Sequence, residues 1–163
     1  MNKLYYDACI FQASANDANR NSEHCRNITN PAKIDWVVVF SREIIISECP
    51  VSEILDAFEV QCGSTGVVYE CPSLSEAKQA ARQRRAEKKA LRQLGFGGND
   101  WNHLCAADFA RCHGLISDDS DFFDPKNKAS PKSKVKGSAV KDHIHSTFGL
   151  KVMTSSDCAA RCR

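Results

Sequence analysis

Leu4-Tyr5-Tyr6-Asp7-Ala8-Cys9-Ile10-Phe11 opens the chain with a short apolar run that ends on a carboxylate. Lys3 to Tyr6 reads as a strand, and Cys9 to Asn19, rich in small polar residues, as a loop or helix start. Three more acidic segments follow in order. They are Glu53 in Ser47-Glu48-Cys49-Pro50-Val51-Ser52-Glu53-Ile54-Leu55, Asp100 in Asn99-Asp100-Trp101-Asn102-His103-Leu104, and Asp119 in Leu115-Ile116-Ser117-Asp118-Asp119-Ser120-Asp121-Phe122. Each carboxylate stands where a strand ends or a helix begins, and in an open α/β sheet such positions converge on the cleft at the carboxyl ends of the strands. Carboxylates gathered in one cleft repel one another unless a divalent cation joins them, and hard oxygen donors suit Mg²⁺ or Mn²⁺.

Between these segments the element reading is uneven. Asn30-Pro31 fits a helix start, with Asn as the cap and Pro in the first turn. Ile34-Asp35-Trp36-Val37-Val38-Val39-Phe40 is β-branched and apolar, so helix and strand compete there. Pro50 opens a helix carrying Ile54, Leu55, Phe58 and Val60, with Glu53 in its first turn, and Gly63 and Gly66 break the chain before Val67 to Glu70, an extended segment. Ser73-Leu74-Ser75-Glu76 has the form of a capping box, and the helix it starts runs to Leu94 with Gly95 as its stop. Asn99 or Asp100 caps the next helix, and Leu115 to Ser117 and Leu150 to Met153 read as strands. The stretch 124–141, with Pro125, Pro131 and Gly137, reads as a mobile Lys-rich loop.

The chain's 163 residues suit one domain. Its strongest apolar runs, Trp36 to Phe40 and Ile44 to Ile46, are too short to span a bilayer, and the start lacks a signal-peptide core. A soluble cytoplasmic protein is the expectation, and the nine scattered cysteines then read as reduced thiols, several of them in the core. The formal charge of +2 conceals a segregation. Residues 1–75 carry ten acidic and five basic side chains, a net of −5, whereas 76–94 carry seven basic and two acidic, +5, and 126–141 carry six lysines and no acid. An acidic site between two basic segments suits a polyanion, with Arg82, Arg84, Arg85, Lys88 and Lys89 as candidate phosphate contacts.

In their order and spacing these segments resemble the PIN domain, the small metal-dependent nuclease module known from bacterial VapC-type toxins. Tyr6-Asp7-Ala8-Cys9-Ile10-Phe11 is similar to the family's strand-Asp-x-Asn opening, with Cys9 where an Asn is common. Ser47 to Leu55 resembles its second acidic motif, Asp100 to Ala107 its Asp-x-x-His-Leu-x-x-Ala helix start, Ile116 to Phe122 its Thr-x-Asp-x-Asp-Phe strand end, and Gly149 to Thr154 its last strand. The basic stretch from Ser75 and the Lys-rich stretch from Lys126 depart from the pattern. The resemblance implies a single three-layer α/β/α domain over 1–163 with a mainly parallel sheet. It favours a helix over Ile34 to Phe40, with Glu43 to Ser47 as the second strand. It also implies an endoribonuclease that uses Mg²⁺ or Mn²⁺ and leaves a 5′-phosphate and a 3′-hydroxyl. The partners implied are an RNA substrate, a small antitoxin protein laid over the acidic cleft, and a second copy in a homodimer.

Phosphodiester hydrolysis needs a water made nucleophilic at neutral pH, charge neutralisation on the phosphoryl oxygens and a stabilised leaving group, and carboxylate-held divalent metals supply all three. Asp7, Glu53, Asp100 and Asp119 are the expected catalytic ligands. Asp121 joins Asp119 because side chains two apart in an extended segment share a face, while Asp118 faces away. Glu48 competes with Glu53, and Ser117 is placed to hydrogen-bond a ligand carboxylate or a substrate phosphate. His103, three residues after Asp100, reads as a packing or substrate residue. Two other classes compete with the nuclease: an inactive nucleic-acid-binding module of the same fold, and a zinc-stabilised interaction protein. None of the Cys and His pairs has the Cys-x₂-Cys spacing of a strong zinc site.

Overall fold

The computed structural model describes residues 2–123 and 138–162. Within them five short strands, β1 (Lys3–Tyr6), β2 (Val37–Val39), β3 (Tyr69–Glu70), β4 (Gly114–Ile116) and β5 (Lys151–Met153), form one all-parallel sheet in the order β3-β2-β1-β4-β5. Parallel strands need crossovers, and helices supply them on both faces. From β1 to β2 the chain runs through α1 (Ala8–Ser14), α2 (Ser22–Ile28) and a 3₁₀ turn at Pro31–Lys33. From β2 to β3 it passes through α3 (Arg42–Glu48) and α4 (Ser52–Thr65). The long return to β4 holds α5 (Leu74–Gln83), α6 (Arg85–Gln93) and α7 (Asn99–Phe109). Beyond β4 come α8 (Ser120–Phe123), α9 (Ser138–Phe148), β5 and finally α10 (Ser155–Ala159).

Strand alternation sorts the core into two layers. Leu4, Tyr6, Val38, Phe40, Ile116 and Met153 face one way, onto Phe11, Ile28, Leu55, Phe58 and Cys158. Tyr5, Val37, Val39, Leu115 and Val152 face the other, onto Ala77, Leu91, Trp101, Leu104, Phe122 and Ile144. This is the expected three-layer α/β/α arrangement, and the sheet is wholly parallel. The helices joining β1, β2 and β3 mainly cover one face and α5 to α9 the other, with α10 returning to the first beside α2, so the winding reverses between β1 and β4. An open α/β sheet leaves a crevice at such a reversal, outside the carboxyl ends of the strands. Gly114 lets β4 sit there, because a Cβ on it would stand 2.8 Å from Met153 Cε, 3.0 Å from Lys151 O and 3.1 Å from Leu4 Cδ2.

Several expected boundaries move. The second strand is Val37–Val39, where a helix was favoured, and Glu43 to Ser47 lies in α3 rather than in a strand. Val37 to Val39 are buried on both faces between β1 and β3, the environment of β-branched residues in a central strand. Ile44 and Ile45, adjacent in sequence, bury into opposite core layers, as a helix lying across the end of the sheet allows. Helix α4 continues through Gly63 and ends at Gly66, whose φ of 74° gives the left-handed cap, and Val60 is exposed. The capping box at Ser73 and Glu76 forms, but the basic run is two helices parted at Arg84. Gly98, not Asn99 or Asp100, precedes the first turn of α7 as its cap, at φ 64° and ψ −139°. Of the expected mobile loop, 124–137 lies outside the described residues and 138–141 begins α9. No helix among the described residues is long and apolar enough to cross a membrane.

Candidate metal centre

Asp7 follows β1 directly and caps α1, with Oδ1 accepting from Ala8 N at 2.6 Å. Its backbone N–H continues the ladder to Ile116 O, so the residue is fixed at the carboxyl end of the sheet. Ser117, one step past β4, donates to Asp7 Oδ2 at 2.6 Å and accepts from Asp119 N at 3.0 Å. Ser117 is wholly buried and its hydroxyl is used twice, so it holds the carboxylates and is not open to a substrate. Cys9, in the place of the expected Asn, also donates to Asp7 Oδ2, at 3.4 Å, and its Sγ accepts from Asp118 N at 3.3 Å.

Asp118 does face away from its neighbours. It accepts from Ser155 N at 2.8 Å and from Ser155 Oγ at 2.5 Å. The chain then turns into α8 instead of staying extended, and Asp119 Oδ1 accepts from Asp121 N at 2.9 Å across that turn. Asp119 and Asp121 still come together. With Asp100, from the first turn of α7, they present ligand oxygens that all lie within 4.8 Å of one another. The Asp100 carboxyl is pushed up to about 8 by partial burial and by the charges of Asp7, Asp119 and Asp121, against a smaller opposing effect of His103.

Glu53 does not join them. It is exposed in the first turn of α4 and belongs to neither group of potential ligands among the described residues. Glu48, the last residue of α3, takes the place expected for it and forms the second group with Asp7 and His103. The cause is the reassigned element: with Arg42–Glu48 helical, Glu48 lies one turn after Ile44 on the face turned toward α7. His103, expected to pack or to meet substrate, is fully buried and paired with both acids of this group. Its spacing of three from Asp100 places the two on one helix face, the signal that could have found it. Burial opposes protonation of the His103 ring, but Asp7, Glu48 and Asp100 outweigh it and raise the imidazole above its usual value.

A cavity of about 320 Å³ beside Asp119 is lined by Cys9, Asn19, Arg20, Asn21 and Asp118. Arg20 has no sequence signal. The loop that carries it is held by consecutive turns, with Asn19 N donating to Asn16 O and Ser22 N to Asn19 O. On the other side, Lys88 and Arg92 line a cavity of about 230 Å³ with Gly97, Gly98 and Trp101, at the start of α7. Arg82, Arg85, Lys88 and Lys89 are exposed.

Arg84 is not a free phosphate contact. Its Nε and Nη2 donate to Asp108 at 3.0 and 3.1 Å, and the guanidinium lies 4.8 Å from the centroid of the Phe148 ring. Arg84→Ala should therefore cost about 2 kcal/mol of folding stability in a denaturant melt, by losing a bidentate charged pair that is partly screened by solvent. If the basic run grips RNA, affinity for it should change less than in a variant lacking Arg85 and Lys89. A variant as stable as the wild type that binds RNA weakly would return Arg84 to the substrate.

Apart from Cys9, which touches Asp7, the thiols play no visible part in the ligand groups. Six of the nine cysteines are buried, and burial pushes Cys25, Cys105, Cys112 and Cys158 up to about 12. Neither ligand group among the described residues contains a cysteine. No protein-family model, characterised protein or solved structure matches the chain.

Proposed function

We propose that the chain is a Mg²⁺- or Mn²⁺-dependent nuclease that hydrolyses RNA, with Asp100, Asp119 and Asp121 as the residues that would hold the ion. The observation that carries this reading is the convergence of three carboxylates from two chain segments, in a crevice where Asp100 is raised to about 8. The donor set fits the ion: it is all oxygen, and the repulsion that lifts Asp100 is what a divalent cation relieves. When bound, such an ion supplies Lewis acidity toward a phosphoryl oxygen and toward the attacking water. The chain's own residues do the rest. Ser117 holds Asp7 and the Asp119 backbone in register. Arg20, with Asn19 and Asn21, offers donors to a substrate phosphate on one side, and Lys88 and Arg92 offer charge on the other. The resemblance to PIN domains supports the choice of RNA and of a toxin paired with a small antitoxin.

The test is incubation of purified protein with labelled RNA in Mn²⁺ and in EDTA. Cleavage that requires the metal and leaves a 5′-phosphate is expected; cleavage that persists in EDTA, or none in Mn²⁺, sinks the reading. Expression in a bacterial host should arrest growth if the toxin role holds. Within the active protein, Arg20→Ala should raise KM about tenfold with kcat within about threefold. It should also lower the slope of log affinity against log salt by about one, as expected for one lost phosphate contact. An unchanged KM would leave that cavity out of the substrate path.

A further inference from the structure

Asp7, Glu48 and His103 make a group that adjoins the carboxylate centre but is closed by its own hydrogen bonds. His103 Nε2 lies 2.9 Å from Glu48 Oε2 and 3.2 Å from Asp7 Oδ1. A ring nitrogen between two carboxylate oxygens carries its hydrogen, because a lone pair there would set three acceptors against one another. Tyr5, also wholly buried, meets Nδ1 at 2.8 Å, so both ring nitrogens are occupied within the protein. Edge-on packing of Tyr5 against the ring, 5.7 Å between centroids, leaves little freedom to turn it over.

We propose that the His103 N–H fills the position a second divalent cation would take between Asp7 and Glu48, so that the centre binds one ion and Glu48 acts through His103 rather than on the ion. The inference rests on the reading of Asp100, Asp119 and Asp121 as a cation site, and it assigns His103 as a positioning residue. Two acids and an imidazole within 4.8 Å of one another would otherwise be an ordinary ligand set. The directed N–H is what closes it. A second ion would need the proton expelled from Nε2.

Equilibrium dialysis of the full chain against Mn²⁺ decides it without an activity assay. The wild type should bind one equivalent. Glu48→Gln, whose side chain is partly exposed and replaceable without threatening the fold, should also bind one, with Kd within about threefold of wild type. His103→Ala removes the N–H, leaves Asp7 and Glu48 facing each other, and should bind two equivalents. Two equivalents in the wild type, an equivalent or a factor of ten lost in Glu48→Gln, or one equivalent in folded His103→Ala would each overturn the inference. Should His103→Ala fail to fold, the wild type and Glu48→Gln still decide. No Mn²⁺ bound by the wild type would instead remove the cation site itself, and this inference with it.

Discussion

Asp100→Asn should cleave RNA at least about a hundredfold more slowly than the wild type, on the order of 3 kcal/mol in the barrier. Asp100 supplies one of three clustered carboxylates and caps nothing, since Gly98 takes the cap position of α7. The substitution keeps the size of the side chain and removes a negative charge that burial and three neighbouring acids already disfavour. The variant should therefore fold, and at pH 8 without metal it should melt above the wild type. RNA binding should be equal or tighter, because one anionic repulsion is gone, while the melting temperature should respond less to Mn²⁺. Wild-type cleavage by this variant would mean that the activity is a contaminant or that the ion sits elsewhere.

Raising the pH from 5 to 9 should destabilise the metal-free wild type relative to Asp100→Asn and strengthen its hold on Mn²⁺. The Asp100 carboxyl lies near 4 in an unfolded chain and is raised to about 8 in the folded one. Between those values the native state binds more protons than the unfolded state, so stability from this group is complete below about pH 4 and is lost as pH rises through 8. The gap in melting temperature between Asp100→Asn and the wild type should widen over that range. Binding of Mn²⁺ must displace the proton, so affinity should rise about tenfold per pH unit below 8 and level off above it. A pH-independent gap would show that Asp100 is ionised throughout, and the crowding of carboxylates would be no source of metal affinity.

The expectation of a parallel sheet with carboxylates at its carboxyl end was legible because β1 and β4 each end on an acid or within three residues of one. The positions of Asp7, Asp119 and Asp121 follow from that, even though the segment beyond β4 is helical where extended chain is expected, and Asp100 follows from its place at a helix start. The second acid was not legible. Trp36 to Phe40 and Ile44 to Ile46 are two short apolar runs parted by Ser41-Arg42-Glu43, and periodicity cannot separate a buried strand from a helix in runs so short. Placing the strand six residues too late moved the acid from Glu48 to Glu53. Charge misled at Arg84 for a related reason: composition counts a guanidinium as exposed, whereas Asp108 and Phe148 are brought to it by α7 and α9, distant in sequence.

The clasp between Asp118 and Ser155 has a consequence for the order in which the protein is made. Synthesis proceeds from the N-terminus, and parts of a chain fold as they emerge. When Asp7, Asp100 and Asp119 have all left the ribosome, β5 is still missing, and so are the Met153 carbonyl that receives Ser117 N and the Ser155 donors that hold Asp118. The loop bearing Asp119 and Asp121 thus lacks, until then, the part of its anchoring that comes from residues translated more than thirty positions later. A nascent chain carries every acid of the centre for some seconds before those late contacts exist, at the usual rate of about 5–20 residues per second. Assembly of the centre is timed by its last strand and helix.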